Sequence, residues 1–413
     1  MEDVLTGFDS PKEQDSIIKV IGVGGGGGNA VTHMYKEGIS DVTFVLCNTD
    51  NQALVKSEVP AKLQLGKFVT EGLGSGNKPD VAKKAAEESI PDIQKMLSDG
   101  TKMVFVTAGM GGGTGTGAAP VIAKVAKGMD ILTVGIVTIP FLFERKSKIM
   151  QALRGVREIN KNVDALLVIN NEKLREIYPD LTVMNAFKKA DDTLNVAAKS
   201  IAEIITLPGH VNLDFADVNT VLKNGGVSIM SSGFGEAANR VTDAFENALH
   251  SPLLNNNNVF NAQKILFNVY SSSQKPLMME EMDGINDFMS KFSKDIEVIW
   301  GAATDETLGE QIKVTILATG FDVESIPLMD AFTEEIKQID EEEIKVLEGE
   351  IIKIYGAKAA RSLEGEKSRP LPYLFSSLED MDNNVIIEAL INQPAYKRNI
   401  KEITAKVESV IKE

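Results

Sequence analysis

Glycine is clustered in this chain, and the clusters follow strands. Ile17–Val23 is apolar and β-branched, the pattern of a buried strand, and it runs directly into Gly24–Gly28. Met103–Thr107 repeats the arrangement, leading through Gly109 into Gly111–Gly117, where Thr114 and Thr116 interrupt the glycines. A helical pattern follows each cluster. Ala30, Val31, Met34 and Tyr35 share a face after the first, and Ala118, Ala119, Val121, Ile122 and Val125 after the second. Consecutive glycines at a strand–helix junction let backbone N–H groups close around an anion, with the positive end of the helix dipole behind them. Val42–Cys47, Ile131–Ile139 and Ala165–Ile169 read as further short strands. Strands alternating with helices predict an α/β, Rossmann-like fold: a parallel sheet covered on both faces, with ligands bound at the carboxyl ends of its strands. Both glycine clusters fall at that edge.

The pattern changes at Thr182. From there to Ile205, Phe187, Ala190, Leu194, Ala197, Ile201 and Ile204 recur at three- and four-residue steps, which predicts one long helix stopped by Pro208 and Gly209. Val227–Met230, Lys264–Tyr270, Ile296–Trp300 and Lys313–Ala318 then read as strands of a smaller α+β unit, with a helix around Ala237–Leu249. Beyond Phe321 the chain turns acidic, and Ile344–Ile354 alternates enough to predict a hairpin turning at Gly349. Cys47 and Trp300 read as packing residues.

Charge and cysteine content narrow the function. Lys and Arg total 43 against 59 Asp and Glu, a net charge of −16, which argues against a nucleic-acid partner held through its phosphates. No stretch approaches the ~20 apolar residues of a membrane helix, so no direct membrane insertion is expected. The polar, acidic N-terminus predicts no secretory signal, and the single cysteine, Cys47, predicts a reducing, cytoplasmic setting. His33, His210 and His250 do not fall at metal-ligand spacings.

The first loop alone is ambiguous. Gly22, Gly24 and Gly27 fit the dinucleotide fingerprint, and Asp50 lies near the end of the second strand, where a ribose-binding acid belongs. That supports an NAD-type dinucleotide-dependent oxidoreductase. The second loop favours a different ligand, because a pyrophosphate needs one glycine loop and this edge carries two. Thr114 and Thr116 add hydroxyl donors, and a third glycine-rich turn, Gly72–Gly76, brings Gly74 and Gly76 to the same edge. Three loops suit a triphosphate with its metal.

The run Gly109–Pro120 resembles the tubulin signature loop in its bacterial version. With GVGGGGGNAV, NTDNQAL, GLGSGNKP, NLDFADV and ATGF in that order, the chain from Ile17 to Phe321 resembles the bacterial cell-division GTPases of the tubulin/FtsZ family. The resemblance implies GTP/GDP as ligand, with Mg2+ held mainly by phosphates and water, and K+ as a further candidate cation. It implies that Gly24, Gly25, Gly26 and Asn29 form the first phosphate loop, and that Gly111, Gly112, Gly113, Thr114, Gly115 and Thr116 form the second. Thr138, Pro140 and Glu144 match a segment whose Glu holds the ribose; Asn171 matches the residue that reads the guanine edge. Phe187 and Asp191 match the residues that stack on and hydrogen-bond to guanine, although Phe187 also suits core packing and Asp191 a solvent-facing position. The implied organisation is an N-terminal extension (1–16), a GTP-binding domain (17–181), a central helix and catalytic loop (182–224), a C-terminal α+β domain (225–321), an acidic tail (322–390) and a partner-binding terminal segment (391–413).

The segment Asn212-Leu-Asp214-Phe-Ala-Asp217 carries the catalytic expectation. Asp214 suits a helix N-cap and Asp217 its first turn; at i and i+3 the two carboxylates also share a face and can address one external target. In the family this loop enters the nucleotide site of the next subunit, so hydrolysis accompanies head-to-tail self-assembly, a heterologous contact that generates filaments. The chain departs from the family after Glu144, where Gly and a later Arg are usual and Arg145 and Lys148 stand instead. Lys148 can neutralise a phosphate but lacks the planar fork of Arg, so a catalytically weak GTP-binding scaffold is a third reading. Pro394, Ala395, Tyr396, Lys397 and Arg398 resemble the family's peptide for membrane-adaptor division proteins, which implies a location at the division site beneath the inner membrane. An ordinary turn before a terminal helix explains that peptide equally well.

Overall fold

Strand β1 (Ile18–Val23) is buried at every position and sits between two parallel neighbours, β2 (Val42–Asn48) and β4 (Met103–Gly109). The computed structural model describes residues 16–321 apart from positions 40, 179, 208, 251–258 and 293–295; residues 1–15, the expected hairpin at 344–354, the tail and the segment 391–413 lie outside the described residues. The other strands are β3 (Ala61–Gln64), β5 (Leu132–Ile139), β6 (Ala165–Asn170), β7 (Gly209–Val211), β8 (Gly226–Gly235), β9 (Lys264–Ser271), β10 (Glu297–Thr304) and β11 (Ile312–Phe321). The helices are α1 (Gly24–Glu37), α2 (Asn51–Lys56), α3 (Pro79–Glu88), α4 (Ile90–Leu97), α5 (Thr114–Gly128), α6 (Lys146–Asn160), α7 (Asn171–Ile177), α8 (Val183–Thr206), α9 (Phe215–Leu222), α10 (Arg240–Leu249) and α11 (Met282–Ser290).

Among the described residues the strands form one sheet in the order β3-β2-β1-β4-β5-β6-β8-β11-β9-β10-β7. The first six are parallel in the doubly-wound order 3-2-1-4-5-6, whose direction of winding reverses between β1 and β4. Register makes that reversal a crevice. Val23 lies opposite Cys47 on one side and Ala108 on the other, so the chain leaves the sheet at one level after three adjacent strands. The second half of the sheet is mostly antiparallel and joins the first through two residue pairs, Ala165 with Gly226 and Leu166 with Val227.

Helix α8 lies against this sheet along its apolar stripe. Ala190, Leu194, Ala197, Ile201 and Ile204 are buried as the spacing predicts, each large aliphatic contributing ~1.5–3 kcal/mol. Phe187, in the first turns of the same stripe, is 39% exposed, as are its neighbours Val183 and Met184 to a greater degree. Tyr35 also differs from expectation: it is half-exposed and packs edge-on to Phe44 at 6.0 Å. Cys47 is fully buried, which pushes its thiol up to about 12, and Trp300 stacks on Phe267 at 6.2 Å.

Candidate functional site

The two glycine loops pack backbone against backbone. Gly24 has φ +72°, and a Cβ there would meet Gly115 N at 2.8 Å and Thr114 Cβ at 3.1 Å; a Cβ on Gly26 would lie 3.3 Å from Gly109 Cα. A side chain at these positions would wedge the loops apart. Gly25, Gly28 and Gly112 are the complement: a Cβ on any of them meets nothing within 4 Å, so bare backbone faces open space. That is the cradle an anion needs.

The second loop is held from three sides. Gly111, at φ +97°, packs against Pro140 and Lys148, where a Cβ would lie 2.8 Å from both. Its N–H donates to Thr116 Oγ1 at 2.9 Å, and Gln151 Nε2 on α6 donates to the carbonyls of Gly111 and Gly112 at 3.1 and 3.0 Å. Thr114 Oγ1 lies 2.7 Å from Thr49 Oγ1 and 3.3 Å from Ser75 Oγ. The third turn closes on the same point: Gly72, Gly74 and Gly76 all have positive φ, Gly74 N donates to Thr49 O at 3.2 Å, and a Cβ on Gly113 would lie 3.1 Å from Asn77 Cα. The structure thus brings all three loops together. The two threonine hydroxyls also have structural partners: Thr114 ties the second loop to Thr49 and Ser75, and Thr116 closes the second loop on itself. Gln151, Thr49 and Ser75 were not singled out from the sequence; Thr49 and Ser75 stand inside quoted motifs, while Gln151 carries no local signal.

Asp50 is likewise committed to structure. Its Oδ1 caps α2, accepting from Gln52 N at 2.9 Å and Ala53 N at 3.3 Å.

A cavity of about 500 Å3 opens beside Gly24 and Gly25 and runs between α1 and α8, where Asn29, Lys188 and Asp191 line it. The second loop meets this cavity across Gly24. Asn171, the first residue of α7, is buried, and its Oδ1 has no hydrogen-bond partner among the described residues. An orphaned buried acceptor of this kind calls for a ligand or water. Phe187 stands edge-on to Phe141 at 5.2 Å and to Phe143 at 6.3 Å, presenting part of its ring to solvent, so simple core packing does not account for it. Asp191 does not face open water either. Burial raises its carboxyl to about 7, with His33 pulling the value down and Asp192 pushing it up.

Thr138 is the penultimate residue of β5, and its carbonyl accepts from Met110 N at 2.9 Å. Glu144 accepts from Phe141 N at 2.9 Å through Oε1 and pairs with Lys148 Nζ at 2.5 Å through Oε2. Lys148 is thus paired with Glu144 one turn earlier on the chain. Arg145 between them has φ +81° and ψ 150°, a region essentially reserved for glycine. This explains in backbone terms why Gly is usual here in the resembling family.

Asp214 and Asp217 form a reciprocal capping box at the start of α9. Asp214 Oδ1 accepts from Ala216 N at 2.7 Å and Asp217 N at 3.1 Å; Asp217 Oδ2 accepts from Asp214 N at 2.9 Å. Asn212 Oδ1 accepts from Gly209 N at 2.6 Å. Asp214 is exposed, and the structure separates this cluster from the glycine loops: from Asp191 to the end of α8 is about 22 Å of helix. Among the described residues no group of three or more His, Cys, Asp or Glu could hold a metal ion, and no helix is long and apolar enough to cross a membrane.

Residues 17–179 match the GTPase domain of the Tubulin/FtsZ family, and residues 226–322 match the C-terminal domain of the FtsZ family. A cell division protein FtsZ from Porphyromonas gingivalis is 52% identical over 410 residues, covering 96% of this chain and 89% of its own. The FtsZ of Wigglesworthia glossinidia brevipalpis is 43% identical over 315 residues, covering 76% and 81%. An empty FtsZ dimer from M. jannaschii superposes with a TM-score of 0.69 at 37% identity, over 78% of this chain and 94% of that one. These likenesses give no support to the oxidoreductase or weak-scaffold readings. With its doubly-wound sheet and converging glycine loops, the chain belongs to the FtsZ family of tubulin-like cell-division GTPases and binds GTP and GDP.

Proposed function

We propose that this GTPase hydrolyses GTP at the junction between successive copies, the Asn212–Asp217 segment of one copy completing the nucleotide site of the next. The observation that carries the reading is the separation along α8. The acidic pair stands beyond the end opposite the glycine loops, about 22 Å of helix from Asp191, so it serves a second molecule more readily than its own. A similar protein, the FtsZ of M. jannaschii, forms a dimer. A head-to-tail contact of this kind does not close and builds a filament.

On this reading each residue has a stated role. Backbone N–H groups of Gly24, Gly25, Gly26, Gly112, Gly113 and Gly115 cradle the phosphates, with Gly111 and Thr116 closing the second loop on itself and Thr114 tying it to Thr49 and Ser75. Asn29 extends the first phosphate loop, Asn171, Phe187 and Asp191 receive the base, and Thr138, Pro140 and Glu144 border the ribose. Asp214 and Asp217 orient the water that attacks the γ-phosphorus, which breaks its bond to the β-phosphate oxygen and releases GDP and phosphate. We assign Mg2+ to the nucleotide's phosphate oxygens and water, where it neutralises phosphate charge; comparing potassium with sodium buffers tests K+ as a second cation. The domain boundaries stated from the sequence are kept as proposals. So is the role of Pro394–Arg398 as a peptide for membrane-adaptor division proteins, which would hold the protein at the division site.

Asp214→Ala is the test. Its phosphate release falls to background while GTP affinity stays at the level of the parent protein. Equal loss of binding would mean that the loop serves its own chain's site, and the shared-site reading would be wrong.

A further inference from the structure

Two acidic residues stand side by side where α8 faces the cavity. Asp192 Oδ1 lies 2.7 Å from His33 Nε2 on α1. Asp191, one residue earlier, is half-buried in the same cavity wall. His33 follows Asn29 by four residues and shares its face of α1, just as Asp191 shares a face of α8 with Phe187. The His33–Asp192 contact therefore joins the helix that opens at the first glycine loop to the helix that carries the base-facing pair.

The charges around Asp191 come from each helix of the cavity. His33 and Lys36 face it from α1, Lys56 from α2, and Lys188 and Asp192 from α8 itself. Lys36 is drawn off by Glu58 at 3.0 Å. Glu172 on α7 is taken by Leu142 N and Arg175. Burial pushes the Asp191 carboxyl up most strongly, His33 opposes that push, and Asp192 adds to it. Guanine presents N1–H and N2–H donors together. A carboxylate accepts both, whereas a protonated carboxyl spends one oxygen as a donor.

We propose that His33 is a specificity-determining positioning residue: its contact with Asp192 ties α1 to α8 and sets the imidazole in the cavity wall that holds Asp191. This rests on the reading of Asp191 as a base-recognition residue. Paired with Asp192, His33 offsets the like charge beside Asp191 and so favours the carboxylate that guanine requires.

The experiment is GTP and ITP affinity from about pH 5.5 to 8.5 for the parent protein, His33→Gln and His33→Lys. In His33→Gln, GTP affinity at pH 6.5 drops about three- to tenfold and the acid limb moves up by about 0.5–1 pH unit, while the curves converge near pH 8.5. His33→Lys restores the parent limb. ITP, which lacks the 2-amino donor, responds less. An unchanged limb, or a uniform loss for both nucleotides at every pH, overturns the proposal. Asp191→Asn separates the underlying reading, because an amide's one donor and one acceptor suit xanthine rather than guanine. If Asp191→Asn binds GTP as the parent does, the base-recognition reading fails; if it exchanges GTP for XTP while His33→Gln is silent, only the role of His33 fails.

Discussion

Replacing Arg145 by glycine stabilises this protein. Arg145 is held at φ +81° and ψ 150°, where a Cβ costs about 1–3 kcal/mol. Glycine removes that strain and returns roughly 0.5–1 kcal/mol through its greater freedom in the unfolded chain. Nothing else is lost: Arg145 contributes no side-chain cap to α6, its side chain is exposed, and its N–H continues to donate to Leu142 O. The net gain is about 1 kcal/mol, or roughly 2 °C in Tm for a protein of this size. Arg145→Ala is the control, because it removes the guanidinium but keeps the Cβ. Thermal melts of the nucleotide-free protein place Arg145→Gly above the parent and Arg145→Ala at or below it. If Gly is no more stable than Ala, the strain argument is refuted.

Two further perturbations address the site. Asp191 has its carboxyl raised to about 7 in the folded protein, so the stability its neutral form confers is full below pH ~4 and lost as pH rises through 7. Nucleotide-free Asp191→Asn is therefore more stable than the parent at pH 8 by about 2–4 kcal/mol and equal to it near pH 4, as urea titrations at the two pH values measure. Gln151→Ala frees the carbonyls of Gly111 and Gly112 and costs about 1–2 kcal/mol of GTP affinity, read by calorimetry, with little change in the apparent melting temperature.

Much of the fold was legible because its signals are local. The buried runs of β1, β4, β5 and β6 and the stripe of α8 announce themselves by composition and period, and the glycine clusters place the ligand edge. β3 was not legible, since Ala61–Gln64 alternates over only four residues, too short a run to announce a strand, and it becomes one by pairing with β2. β7 is three residues long and exists through its contact with β10. The period of α6 is present in Ile149, Ala152, Leu153, Val156 and Ile159, yet its part in the site depends on Gln151, a polar residue whose role only tertiary packing defines. The same holds for His33 and Asp192, which meet across helices more than 150 positions apart. Motif residues such as Asp50, Thr116 and Asp214 were found readily, but their structural duties as caps and loop locks depend on backbone groups that a sequence does not display.

The shared site is tested most directly by mixing two variants, each inactive with GTP for a different reason. Asp191→Asn has an intact acidic loop but a base pocket that no longer suits guanine; Asp214→Ala binds GTP but lacks the catalytic carboxylate. In an equimolar mixture, junctions that set the Asp191→Asn loop against the Asp214→Ala pocket are complete, and phosphate release recovers to roughly a quarter of the parent rate by random association. A mixture that stays as silent as its two components would place the whole catalytic apparatus within one chain and contradict the account.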